Sequence, residues 1–192
     1  MLKKSDIPNI IKTAVILFLI TGIAALILAV VNNFTAPIIA ENSAKKQAAA
    51  MQNVLKDAEF SEENLAENVD DPDISEIYKA QKDGSVAGYV VMVNPNGYNG
   101  AISMVVGIDA EGKVSGIDII SQSETAGLGA NCVKDEFKDQ FVGKSGEISV
   151  VKNDPKDNEI DAITSATITS KAVTSGVNKA LAAAEKLEEA GK

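Results

Sequence analysis

Nineteen consecutive residues, Thr13 to Val31 (TAVILFLITGIAALILAVV), carry neither charge nor proline. At 1.5 Å per residue a helix of that length spans about 28 Å, close to the roughly 30 Å hydrocarbon core of a bilayer. A cleaved secretory signal has an apolar run of only about 7–15 residues ending at a small-x-small site, whereas this run passes into Asn32-Asn33-Phe34. It reads as one retained transmembrane helix. Lys3, Lys4 and Lys12 precede it and the next lysine is Lys45, so the positive-inside rule predicts a cytoplasmic N-terminus over residues 1–12 and an extracytoplasmic remainder. With no cysteine near the end of the run, a lipid-anchored form is not expected.

The segment up to Val31 holds three lysines and one aspartate, which leaves 15 lysines against 26 acids in the rest, with no arginine. Such a surface repels phosphate backbones, so a nucleic-acid partner is not expected. The absence of histidine and the single Cys132 exclude histidine general bases, histidine metal sites, haem attachment and internal disulfides. No catalytic residue and no metal site is predicted. Cys132 sits in a helix-like run, Asn131 to Gln140, and reads as a small packed apolar residue.

Beyond the anchor, Thr35-Ala36-Pro37 places Pro37 in the first turn of a second helix running from Ile38 to about Ala58. The acid-rich SEENLAENVDDPD follows, a solvated linker or an exposed loop, so residues 32–73 read as a stalk helix and an acidic linker. From Ile74 the pattern becomes that of strands. Ile74 to Ala80 and Val86 to Val93 flank Asp83-Gly84; Ala101 to Ile108 and Lys113 to Ile120 flank a turn ending in Gly112, giving two hairpins. A short helix over Asn131 to Phe141, a strand over Glu147 to Lys152 and a helix from Thr167 to Leu187 complete the pattern. Residues 74–192 are therefore predicted to form an α+β domain, an antiparallel sheet with helices packed on one face.

Three stretches of this domain are candidates for chemistry. Asn94 to Gly100 joins the hairpins, Ser121 to Ala130 follows the fourth strand, and Asp161-Ala162-Ile163-Thr164-Ser165-Ala166-Thr167-Ile168-Thr169-Ser170 leads into the last helix. Glycine-rich loops let backbone N–H groups approach a flat or anionic ligand, although turns use the same residues. Thr164 or Ser165 would cap the last helix, which puts Ala166 and Thr167 in a first turn able to hold an anion. On the residues alone, helix capping with solvated hydroxyls at Thr167, Thr169 and Ser170 is the better account of the stretch.

Asp161 to Thr167 resembles the Asp-x-x-(Ser/Thr)-Gly-Ala-Thr signature of FMN-binding domains whose final threonine carries FMN as a phosphoester, with Ser165 where glycine is commonest. Glu124-Thr125-Ala126-Gly127-Leu128-Gly129 is similar to that family's Glu-Thr-Pro-Gly-Leu-Gly loop, and Gly97-Tyr98-Asn99-Gly100 to its Gly-Tyr-x-Gly segment. Three motifs in this order behind one anchor resemble the G-subunit family of Rnf electron-transport complexes; the C-subunit family of sodium-translocating NADH:quinone reductases, typically longer, is related.

The resemblance implies covalent FMN on Thr167, attached by a separate flavin transferase that recognises Asp161. It also implies a cofactor site comprising Glu124, Thr125, Gly127, Leu128, Gly129, Thr164, Ser165 and Ala166. The function it implies is electron transfer, without substrate chemistry of its own, among the other membrane subunits of an Rnf-type ferredoxin:NAD oxidoreductase coupled to sodium or proton translocation. A stand-alone extracytoplasmic electron-transfer flavoprotein and a non-redox anchored scaffold are the other readings, distinguished by the presence of flavin and of partner subunits.

Overall fold

The computed structural model describes residues 7–190, with side chains from Ile11 onward; Lys3 and Lys4 of the topology reading lie outside these residues. The chain divides into two compact units after Lys45. In the first, helix α1 (Ile7–Val54) begins with a segment whose large apolar side chains are exposed all round, Phe18 at 74% and Leu28 at 70% among them. A helix apolar on every side needs an apolar solvent, which is the physical content of a membrane span. Thr21 donates to the Leu17 carbonyl at 2.9 Å and Thr35 to that of Val31 at 3.0 Å, so both hydroxyls are satisfied within the helix.

Pro37 does not begin a new helix as expected: α1 runs through it to Val54. An interior proline removes one N–H bond and crowds the carbonyl four residues back, which is a cost rather than an absolute stop, and here the helix continues on both sides of it.

The second unit is built on a five-stranded antiparallel meander, β1 (Glu59–Phe60), β2 (Ile74–Lys82), β3 (Ser85–Val93), β4 (Ser103–Asp109) and β5 (Val114–Ser121), in sequence order. The β2–β3 hairpin closes on Asp83 and Gly84, at φ 52° and 78°, the two left-handed residues of the turn that matches strand twist. Strands β2 to β5 lie where the alternation placed them. Helix α3 (Thr167–Ala190) packs on one face against Val91, Val93, Met104, Val106 and Ile108.

Helices cover both faces of the sheet, which corrects the one-face expectation. The alternate residues of the central strands, Val90, Met92 and Val105, pack against Ala50, Met51 and Val54 of the α1 end. Both faces of β3 are thus buried, and its nearly continuous apolar run VVMV is the sequence sign of that. Ser115 donates to the Val54 carbonyl at 2.6 Å, and a Cβ on Gly107 would stand 2.8 Å from the same oxygen, so the helix end seats directly on the sheet.

The acidic stretch is likewise folded in rather than a free linker. Leu65 and Val69 pack against the core, and Lys179 of α3 holds Asp71 at 3.0 Å and Asp73 at 2.6 Å. The expected helix over 131–141 is a 3-10 turn (Gly129–Val133), helix α2 (Asp135–Lys138) and a second 3-10 turn (Asp139–Phe141). Its side chains Cys132, Phe137 and Phe141 enter the core, the two rings edge to face at 5.5 Å. A short parallel pair, β6 (Ser149–Val151) and β7 (Glu159–Asp161), then delivers the chain to the start of α3.

Candidate functional site

Strand β7 ends at Asp161, and a tight turn reverses the chain into α3. The Ala166 N–H closes it on the Ile163 carbonyl at 2.9 Å and holds Ser165 at φ 61°, in the left-handed region. Ser170, one helical turn into α3 and fully buried, pins the same turn from inside. Its hydroxyl donates to the Ala166 carbonyl at 3.0 Å and accepts from the Ile163 N–H at 2.9 Å.

Two sequence expectations change here. Ala166, not Thr164 or Ser165, supplies the carbonyl that accepts the first bond of α3, from the Ser170 N–H. Alanine has no side-chain acceptor, so the first-turn amides of α3 stay uncapped, the arrangement that favours an anion. Thr169 and Ser170 are not solvated hydroxyls either, at 1% and 0% exposure. Thr167, the first residue of α3, remains half-exposed.

The three motif stretches, far apart in sequence, meet at a cavity of 520 Å³ lined by Tyr98, Glu124, Thr125, Leu128, Gly129 and residues 165–169. Glu124 is their junction. Its carboxylate, 8% exposed, accepts from the Asn99 N–H at 2.9 Å and from the Thr169 hydroxyl at 2.5 Å. A Cβ on Gly97 would stand 2.6 Å from one carboxylate oxygen and one on Gly129 2.7 Å from the other. Glycine at both positions therefore makes room for the buried carboxylate. Asn99 also reaches the Thr125 hydroxyl at 3.3 Å, tying the loops a second time.

Behind this wall, burial first and the Glu124 charge second push the Cys132 thiol up to about 11, so it stays protonated and packed. The cavity rim is apolar, with Tyr98, Leu128 and Ile168 all exposed.

The remaining candidates lie beside the cavity. Gly127, at φ 77°, turns the loop, and its carbonyl accepts from the Asn131 amide at 3.0 Å. Thr164 and Asp161 line a smaller neighbouring cavity of 240 Å³ with Gln140. Gln140 clasps the backbone of Asp161 from both sides, accepting from its N–H at 2.7 Å and donating to its carbonyl at 3.4 Å. The Asp161 Oδ1 is nevertheless buried without a partner. Gln140 carries no sequence signal of its own, Ile168 and Tyr98 stand inside motif stretches without a role, and Thr169, a solvated hydroxyl by its sequence context, is instead the buried donor to Glu124. A larger groove of 860 Å³ runs along α3 past Lys171, Asn178 and Glu185; it contains none of the motif residues and is not the candidate cofactor site.

Residues 97–182, which take in Gly97 to Gly100 and the other two stretches, match the FMN-binding domain family, and residues 1–54 match the RnfG N-terminal region. The chain is 40% identical over 191 residues to the G subunit of the Na(+)-translocating ferredoxin:NAD(+) oxidoreductase complex of Acetobacterium woodii, covering 92% of each chain. It is 37% identical over 183 residues to the G subunit of the proton-translocating ferredoxin:NAD(+) oxidoreductase complex of Clostridium ljungdahlii, covering 94% of this chain and 95% of that one. Among solved structures, NqrC of Shewanella oneidensis superposes with a TM-score of 0.51 at 19% identity over 65% of this chain and 63% of that one, a likeness of fold.

Proposed function

The chain belongs to the G-subunit family of ion-translocating oxidoreductase complexes, and on that premise we propose that it is a membrane-anchored electron carrier with FMN bound covalently at Thr167. The single observation that carries this reading is the convergence of three distant motif stretches on one cavity with Thr167 at its edge. The residues suit the group. The half-exposed Thr167 hydroxyl stands at the uncapped start of α3, where backbone amides and the helix dipole favour a phosphate. Gly129 lets the wall close tightly over Glu124 and Thr169, and Tyr98, Leu128 and Ile168 offer apolar surface to a flat ring system. Bound FMN supplies one- and two-electron transfer, and the chain holds, orients and shields it.

The phosphoester restricts loss of the cofactor. A noncovalent flavin held at micromolar Kd has only about 8 kcal/mol of binding free energy, and outside the membrane each dissociation is a loss by dilution. Attachment requires a flavin transferase, for which Asp161 with its unpartnered oxygen is the recognition residue. Thr164, Ser165 and Ala166 shape the approach to Thr167; Glu124, Thr125, Gly127, Leu128 and Gly129 form the facing wall and its turn.

In this reading residues 1–12 lie in the cytoplasm and the FMN domain outside, which the lysine asymmetry about the 13–31 anchor supports, in a complex with the other membrane subunits of a ferredoxin:NAD oxidoreductase that moves sodium ions or protons. Mass spectrometry of the full chain co-expressed with a flavin transferase tests the site. An FMN mass on the wild type that vanishes in Thr167→Ala is expected; an unmodified wild type defeats the reading, and an adduct that persists in the variant moves the site elsewhere. Co-purification with other membrane subunits separates the complex from a stand-alone carrier.

A further inference from the structure

Among the described residues lining the cavity, Glu124 is the one carboxylate, and no lysine shares the lining with it. Its two oxygens are both engaged, one by the Asn99 N–H and the other by the Thr169 hydroxyl, and Gly97 and Gly129 press against them. A carboxylate so placed cannot turn outward to bind a phosphate, which it would repel. It is built into the wall as a fixed negative charge with neutral donors only, 8% exposed to water. A fixed charge in such a low-dielectric site acts strongly on any group whose own charge changes there.

We propose that Glu124 is a positioning residue with an electrostatic role: it knots the three motif stretches together and, by its charge, lowers the reduction potential of the flavin held in the cavity. This rests on the FMN reading above. Reduction adds two electrons and one or two protons; when fewer protons than electrons are taken up, the flavin gains negative charge beside an uncompensated carboxylate, which disfavours the reduced form.

The test is a dithionite titration with redox mediators on the flavin-loaded full chain in detergent, alongside Glu124→Gln and Glu124→Asp, with the adduct on each verified by mass. Glutamine keeps the shape and removes the charge. Its flavin is expected to show a reduced-to-oxidised ratio at least tenfold higher at the same poise, about 30 mV for a two-electron couple. Aspartate keeps the charge and is expected to return toward wild type. A loaded Glu124→Gln with an unshifted potential, or an aspartate variant shifted as far as the glutamine one, overturns the proposal.

Should Glu124→Gln fold poorly or stay unloaded, Thr169→Val supplies the decision. It keeps the carboxylate and removes its hydroxyl donor, so the potential is expected to fall; a rise or no change overturns the proposal. Absence of flavin from the wild type would strike the reading at Thr167 instead, so the two failures are distinguishable.

Discussion

The Thr169 hydroxyl donates to the Glu124 carboxylate from 45 residues further along the chain, joining the first turn of α3 to the loop after β5. That bond also separates two threonines that look alike in sequence. Thr169 is buried and committed to Glu124, while Thr167 is half-exposed at the cavity edge. Thr169→Val is therefore expected to keep the FMN adduct on Thr167 and to lose about 1–3 kcal/mol of stability, because a carboxylate oxygen is left without its donor. Urea unfolding and peptide mapping read the two effects; transfer of the adduct to residue 169 in Thr167→Ser would contradict the assignment.

Ser165 stands at φ 61°, where the family signature commonly has glycine. A side chain in the left-handed region costs roughly 1–2 kcal/mol, and the larger unfolded-state entropy of glycine takes back about 0.4–1 kcal/mol. Ser165→Gly should raise the urea midpoint by an amount worth about 0.5–1 kcal/mol and leave attachment intact. A lower midpoint would show that the serine contributes more than its backbone strain.

Asp161 Oδ1 is buried without a partner, an arrangement that stability alone does not favour. Asp161→Asn removes the charge at nearly constant shape, so unfolding is expected at the same or higher urea concentration. Adduct occupancy after a fixed co-expression time is expected to drop at least tenfold. A stable variant modified at the wild-type rate would remove Asp161 from transferase recognition.

Lys179 ties the segment before β2 to α3 through Asp71 and Asp73. Burial pushes the Asp71 carboxyl up, but the Asp73 N–H and the Lys179 ammonium outweigh it and hold it below the usual carboxylate range. The bonds to Asp73 and then Asp71 hold Lys179 above its ordinary value against a smaller opposing effect of burial. The depressed carboxyl contributes stability above its unfolded pKa and loses it as pH falls through the folded value. The raised lysine contributes below its unfolded pKa and loses it as pH rises through the folded one. Lys179→Met should therefore cost about 1 kcal/mol near neutrality, the upper end for a partly exposed pair. The difference should shrink at about pH 3, as the Asp71 carboxylate protonates, and an equal one there would refute the linkage.

Much of the architecture was legible along the chain. Periodicity of two placed β2 to β5, glycine marked both hairpin turns, and an unbroken apolar run declared the membrane helix, because each of these depends on neighbours in sequence. The continuity of α1 through Pro37 was missed, since a proline signal alone does not say whether the lost bond ends a helix. So was the cover on the second face of the sheet, since Met51 and Val54 show their partners Val90, Met92 and Val105 only once the sheet exists. The acidic stretch looked solvated because Lys179, which neutralises part of it, lies more than a hundred residues away.

The candidate site divides in the same way. By itself the sequence determined which residue types stand in which order: three motif stretches, a threonine at the start of the last helix, and the absence of histidine and arginine. Only the tertiary structure decided what they are to each other. It turned Ser165 into a strained turn residue, Ser170 into a pin and Thr169 into the buried donor to Glu124, leaving Thr167 at the cavity edge. Burial and hydrogen-bond partnership arise from contacts between distant segments, and those exist only after the sheet has brought the loops together.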